Sequence, residues 1–144
     1  MAKAIVRLRK GYKTTIESRE HVYHADEPLD AGGSNEGPTP VEMLMGSLGS
    51  CIAITMRLYA ERKGWPLTGV DVALDFERFN GKDYPNYEGD AMFVHEIRES
   101  IVLHGDLSEA QREKILEIAE KCPVARIVDL PSFFKQEVLE ALPE

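Results

Sequence analysis

Val41-Glu42-Met43-Leu44-Met45-Gly46-Ser47-Leu48-Gly49-Ser50-Cys51-Ile52-Ala53-Ile54-Thr55-Met56 is the stretch on which the fold turns. Val41, Leu44, Leu48, Cys51, Thr55 and Leu58 recur at helical spacing, and Met45, Ile52, Met56 and Tyr59 form a second stripe. Pro40 suits the first helical position, and Gly64-Trp65-Pro66 predicts a stop near Lys63. A helix apolar on two stripes needs cover on nearly all sides. One domain of 144 residues struggles to wrap it so completely, so the pattern predicts a dimer. Gly46, Ser47, Gly49, Ser50 and Ala53 would let another backbone come close. Glu42, Ser47, Ser50 and Thr55 interrupt the apolar run, which reads as too short and too polar to cross a bilayer.

Outward from this helix the pattern becomes β. Residues 4–9 alternate, with Ala4, Val6 and Leu8 on one phase and Ile5, Arg7 and Arg9 on the other. Thr14 to Tyr23 is β-prone, with a turn expected near Ser18-Arg19-Glu20. Three glycines and three prolines between Ala25 and Pro40 demand a loop. Val70, Val72, Leu74 and Phe76 alternate with polar residues or Ala73, and Ala91 to Leu103 returns with Phe93, Ile97, Ile101 and Leu103 in phase. Ser108 and Gln111 make a capping box for a helix to Lys121, whose inner face carries Ile115, Ile118, Ala119 and Cys122. Pro123 should end it, and Phe133 to Leu139 is expected as a closing strand. The sum is one α+β domain over residues 1–144.

Composition narrows the chemistry. A net charge of −8 argues against nucleic acid as a partner, because neutralising phosphates takes a basic surface. The N-terminal residues Met1 to Arg7 lack the apolar core of a signal peptide, so the cytoplasm is the expected location, with no membrane partner. His21 and His24 would point to opposite faces of a strand, and neither CxxC nor HExxH occurs, so no metal site is expected. Gly33-Ser34-Asn35-Glu36-Gly37 lacks the Lys-Ser/Thr of a phosphate loop, and Gly46-Ser47-Leu48-Gly49 lacks the GxSxG spacing.

The two cysteines, Cys51 and Cys122, remain. In a reducing compartment a cysteine pair is more often catalytic or redox-active than a structural disulfide. Two small apolar side chains packed in a core are the competing reading. A nucleophilic thiol must be a thiolate, and burial opposes that. Cys51 lies mid-helix, where the macrodipole helps little, so a nearby cation would be required, best an arginine. Cys122, at a helix C-terminus, would be placed worse for an anion; hence Cys51 is expected to attack and Cys122 to resolve.

Three segments together resemble the OsmC/Ohr family of osmotically inducible and organic hydroperoxide resistance proteins, in its OsmC-like branch. They are Gly32-Gly33-Ser34-Asn35-Glu36-Gly37-Pro38-Thr39-Pro40-Val41-Glu42-Met43-Leu44, then Gly49-Ser50-Cys51, then Cys122-Pro123-Val124. The resemblance implies an intertwined homodimer, with long buried central helices flanked by antiparallel-rich sheets and active sites at the interface. It implies reduction of organic hydroperoxides by the Cys51–Cys122 pair without metal, haem, flavin or other cofactor, and recycling by a dithiol or lipoyl-type reductant. Met43, Leu48, Ile52 and Phe133 or Phe134 would wall the site. The family glutamate directly follows the proline that opens the cysteine helix. Here Val41 holds that place and Glu42 follows it, so Glu42 is the candidate one residue late. The family arginine maps to Arg9, with Arg19 as a second candidate; Arg126 should lie on an exposed rim. The displaced glutamate keeps a second class open: a dimeric binding or redox-sensing protein with negligible turnover.

Overall fold

The computed structural model describes residues 3–142. Strands β1 (Ile5–Leu8), β2 (Thr14–Ser18) and β3 (His21–Ala25) form an antiparallel sheet in that order. A loop containing the short 3-10 turn Leu29–Ala31 leads to helix α1 (Pro40–Lys63). Strands β4 (Gly69–Asn80) and β5 (Phe93–His104) pair antiparallel along their whole length, from Gly69↔His104 to Asn80↔Phe93. Helices α2 (Glu109–Ala119) and α3 (Pro123–Asp129) follow.

Local chemistry sets the ends of α1. Thr39 accepts the Glu42 N–H, and the Glu42 carboxylate accepts the Thr39 N–H at 2.7 Å, a complete capping box with Pro40 at the first position. At the other end Gly64 turns left-handed at φ 66°, where a side chain would be strained, and the Trp65 N–H closes on Ala60 O at 2.9 Å. Arg57 then ties the helix to the following turn by donating to Leu67 O and Thr68 O. Arg112 does the same for α2, donating to Leu103 O and Gly105 O at 3.0 Å each.

The core sits where α1, the inner face of the β4–β5 hairpin and α2 meet. Leu48, Ile52, Met56 and Ala60 of α1 are buried with Leu67, Leu107, Ile115, Ala119 and Cys122. Val70, Val72 and Leu74 of β4 and Ile97, Ile101 and Leu103 of β5 pack on them. The β1–β3 sheet contributes nothing to this cluster.

One expectation, the all-round cover of α1 by a second copy, goes beyond a single chain, and three others need correction. First, α1 is not enclosed within its own chain: Met45, Leu48, Ile52, Met56 and Ala60 are buried, while Val41, Leu44, Ile54 and Leu58 are exposed. The second stripe packs inward together with Leu48 and Cys51 of the first, while Val41, Leu44 and Leu58 of the first lie open in this chain. Second, α1 has 24 residues and is long and apolar enough by length and composition to cross a membrane. The hydroxyl and single acidic residues do not shorten it; what speaks for a core helix is that one stripe is packed against β4 and α2. Third, no strand forms over residues 133–139, which pair with no strand of either sheet, and Phe133 and Phe134 are 91% and 96% exposed. Fourth, α2 ends at Ala119 rather than Lys121, and Pro123 begins a further helix instead of ending one.

The loop before α1 is held by a buried carboxylate. Asp26 accepts N–H bonds from Glu27 at 2.8 Å and from Ser34 and Glu36 at 3.1 Å each. The loop backbone folds so tightly that a Cβ on Gly33 would lie 1.9 Å from Glu27 O. Burial opposes ionisation of Asp26, but the N–H donors of Glu36, Glu27 and Ser34, with the charge of Lys13, outweigh it and lower its pKa.

Two predictions follow from this packing. Ile115→Ala should cost about 2–5 kcal/mol in urea unfolding, since the side chain is completely buried and its loss leaves a cavity. The Asp26 contribution should be complete above the ordinary carboxylate pKa and vanish as pH falls through its lowered folded value. Acid unfolding of Asp26→Asn should therefore show a flatter pH dependence in that window; an unchanged slope would remove Asp26 as its source.

Candidate functional site

Cys51 lies one helical turn after Leu48 at the margin of the buried stripe of α1, half-buried and packed against the core. Cys122 comes from the turn joining α2 to α3 and has no exposed surface. Because α1 packs on both α2 and α3, the two side chains come close enough for the Cys51 thiol to act on the ionisation of Cys122. Both are free thiols.

The surroundings of Cys122 differ from the sequence expectation. Pro123 is the first residue of α3 and Cys122 is its N-cap, with Sγ accepting the Ala125 N–H at 3.5 Å, where a serine or aspartate oxygen commonly sits. The residue therefore lies at the favourable end of a helix for an anion, not the unfavourable one. Its pKa is nevertheless raised. Burial is the main cause and the Cys51 thiol adds to it, against N–H donation from Ala125 and Val124. Burial thus outweighs the helix end in setting the direction of the shift.

The other expected residues are elsewhere in the chain. Glu42 is exposed and its carboxylate is committed to the α1 capping box. Nine residues of helix separate it from Cys51, about 13 Å along the axis. Arg9 is exposed beyond the end of β1, where its guanidinium donates to Leu8 O at 3.3 Å. It lines a hollow with Glu140, Ala141 and Leu142 rather than the thiol site. Arg19 occupies the β2–β3 turn at φ 55°, and Arg126 is exposed on α3, as expected of a rim residue. No arginine is among the groups that shift Cys122. Of the expected wall residues, Leu48 and Ile52 are buried in the core, Met43 is not among them, and Phe133 and Phe134 are exposed.

An open cavity of about 430 Å³ is lined by Leu48, Ala125 and Val128 with His95, Ile97, Glu99 and Asp129; neither thiol lines it, though Leu48 precedes Cys51 by one turn and the Ala125 N–H meets the Cys122 sulfur. Sequence reasoning missed it, although the signal was present. The core-facing phase of β5 reads Phe93, His95, Ile97, Glu99, Ile101, Leu103, so two ionisable residues break an apolar row. Another cavity, of about 550 Å³, lies in the β4–β5 loop around Tyr87 and Met92 and contains neither thiol. Among the described residues, no group of three or more His, Cys, Asp or Glu is placed to hold a metal ion.

The thiol arrangement predicts an order of labelling. Iodoacetamide at pH 7–8 should modify Cys51 before Cys122, and Cys122 should react only as pH rises past the ordinary thiol value of about 8.5. Peptide mass spectrometry of partly alkylated protein would check this; equal labelling at pH 7 would contradict the burial argument.

Comparison with known proteins bears on the fold. The family model described as OsmC-like protein matches residues 33–135. No curated protein matches the sequence. Among solved structures, a Psychrobacter arcticus protein with an osmotic-stress and detoxification name superposes with a TM-score of 0.70 at 20% identity, covering 88% of each chain. An OsmC-like protein of Mycoplasma pneumoniae gives 0.68 at 17% identity, over 90% of this chain and 87% of that one. An organic hydroperoxide resistance protein of Elizabethkingia anophelis gives 0.62 at 16% identity, over 89% and 87%. Mixed α+β architecture with antiparallel sheets is common to all of them.

Proposed function

Since the chain belongs to the OsmC-like protein family, we propose that it is a thiol-dependent peroxidase of organic hydroperoxides, working as a homodimer in the cytoplasm. The observation that carries this reading is the closeness of Cys51 and Cys122, which come from separate helical segments. A purely structural pair would need no access, and Cys51 is only partly buried.

In the proposed cycle the Cys51 thiolate attacks the outer oxygen of the hydroperoxide. The O–O bond breaks, the alkoxide leaves and takes a proton to become the alcohol, and Cys51 becomes a sulfenic acid. The Cys122 sulfur then attacks that sulfenic sulfur, water departs, and a disulfide forms. A dithiol or lipoyl-type reductant restores both thiols and is itself oxidised to a disulfide. The raised pKa of Cys122 suits the second role, since a protonated resolving thiol does not compete for the peroxide.

A homodimer is supported by the uncovered apolar surface. Val41, Leu44, Ile54 and Leu58 on α1, Val6 and Leu8 on β1, and Phe133, Phe134 and Val138 on the tail are all exposed in one chain. Arg9, remote from the thiols of its own chain, is the proposed counter-charge for Cys51 if the β1–β2 hairpin is supplied across the dimer, with Arg19 second. A guanidinium within about 4–6 Å would favour the thiolate. Glu42 serves the helix cap first, and any catalytic part would also have to be played across the interface.

A second reading is a dimeric binding or redox-sensing protein without appreciable turnover. It is favoured by one observation, the commitment of Glu42 to the capping box where Val41 holds the family glutamate's place.

Single-turnover reaction with cumene hydroperoxide should yield one intramolecular disulfide per chain by mass spectrometry, and none in Cys51→Ser. Wild-type rates in that variant would overturn the nucleophile, and thiols inert to every peroxide, with a ligand retained through purification, would select the second reading. Arg9→Ala should slow neutral-pH alkylation of Cys51 several-fold without changing the sedimented mass, which should be twice that of the chain. Unchanged alkylation in Arg9→Ala, with slowing in Arg19→Ala, would transfer the role to Arg19.

A further inference from the structure

Helix α3 is capped by the same atom that would enter a disulfide. Pro123 at its first position has no N–H, so the orphan donors of the first turn are those of Val124 and Ala125. The Ala125 N–H meets the Cys122 sulfur at 3.5 Å, and the Val124 N–H also donates toward it. Thr39 and Ser108 offer an oxygen at the corresponding place in α1 and α2; α3 has a sulfur.

Little else holds α3. It has seven residues, none of them buried, and is shorter than a helix that is stable alone. Val124 and Ala125 pack on the core, whereas Ile127, Val128 and Leu130 are exposed. Helix α1, by contrast, has 24 residues, a complete capping box and a buried stripe.

The two helices therefore respond unequally to a bond between their cysteines. A covalent S–S bond is much shorter than the contact between two thiols, and its dihedral restricts where each sulfur can lie. When the sulfurs join, one helix has to give, and α3 has the fewer contacts to keep it in place. A disulfide sulfur also cannot ionise, so it never carries the charge that strengthens an N–H···S bond.

We propose that α3 is a redox-sensitive switch: joining Cys51 to Cys122 withdraws the sulfur cap and loosens residues 123–130, and reduction restores them. The inference rests on the thiol pair of the preceding reading and adds a regulation to it, with no requirement that peroxide be the oxidant. Helix α3 starts at Cys122, whose thiol is completely buried in the reduced protein. Loosening the segment gives a reducing dithiol a route to a sulfur that the reduced protein encloses.

Diamide tests this without peroxide. It takes two electrons and two protons from the thiols of the intact protein and becomes a hydrazine, as one disulfide forms. Hydrogen exchange followed by mass spectrometry should show the amides of residues 125–130 exchanging about three- to tenfold faster than in the reduced protein, the size expected for loss of a cap. Exchange in α2 should not change. Trypsin should cut after the exposed Arg126 faster by a similar factor, with cleavage after Lys135, beyond the helix, as the internal reference. Dithiothreitol should reverse both effects. Cys51→Ser keeps the sulfur cap without its partner, and Cys122→Ser puts an oxygen there, so neither variant should respond to diamide. Equal exchange in oxidised and reduced protein overturns the proposal, and so does failure of diamide to join the two cysteines or acceleration in Cys51→Ser. If a variant does not fold, the wild type before and after oxidation carries the test. Loosening with diamide but no disulfide from any hydroperoxide would refute the peroxidase and leave the switch standing.

Discussion

One face of one helix holds this molecule together. Leu48, Ile52, Met56 and Ala60 give α1 a narrow contact line, and the hairpin, α2 and the thiol turn all pack along it. Burying each of the larger side chains is worth about 1.5–3 kcal/mol, so this line accounts for much of what orders the chain. Its position along α1 also fixes the chemistry. Cys51 follows Leu48 and precedes Ile52, so any rotation of α1 that preserves the core also keeps the thiol at the edge of α2 and α3. Stability and thiol geometry therefore depend on the same contacts.

What the sequence made legible was local. The α1 cap, its glycine stop, the alternation of β4 and the Ser108–Gln111 box are each written in a few adjacent residues, and each formed as expected. The cysteines stood out because the sequence puts each in phase with apolar neighbours, although Cys122 lies in the turn after α2 rather than on its face. The failures share a physical cause: they concern partners that adjacent residues do not specify. Phe133 to Leu139 has strand composition but no neighbour to bond with in this chain. Pro123 was read as a stop because a proline both ends and begins helices, and only the Ala125 N–H on the Cys122 sulfur distinguishes the two. Val41, Leu44 and Leu58 of the first stripe of α1 have the pattern of a buried face and are open in one chain.

The candidate site divides in the same way. Its two sulfurs were found from position on helix faces. The charged lining was overlooked because Glu99 and His95 sit in a strand whose remaining residues satisfy the apolar rule, and exceptions to a pattern are easily absorbed into it. Such exceptions concentrate where a chain departs from its most stable sequence for another purpose. Arg9 shows the converse: its spacing was right for a family role, and its own chain leaves it beside Glu140 and Leu142.

The two arginine ties have a mechanical meaning. Arg57 grips the chain just before β4 begins, and Arg112 grips the place where β5 ends, so both strands are clamped at the same end of the hairpin. The packed rows Val70–Leu74 and Ile97–Leu103 continue that support, while Phe76, Met92 and Phe93 beyond it are exposed. The far end of the hairpin is tied differently, by its own loop, through the Gly81 N–H on Met92 O and the Tyr84 hydroxyl on Glu96. Leu74 and Glu99 face each other between these two sets of ties, and Ile97 is the last residue of β5 toward the loop that packs on the core. The stretch of β5 that carries Ile97 and Glu99 is therefore where a hairpin anchored in the core passes over to one anchored in itself.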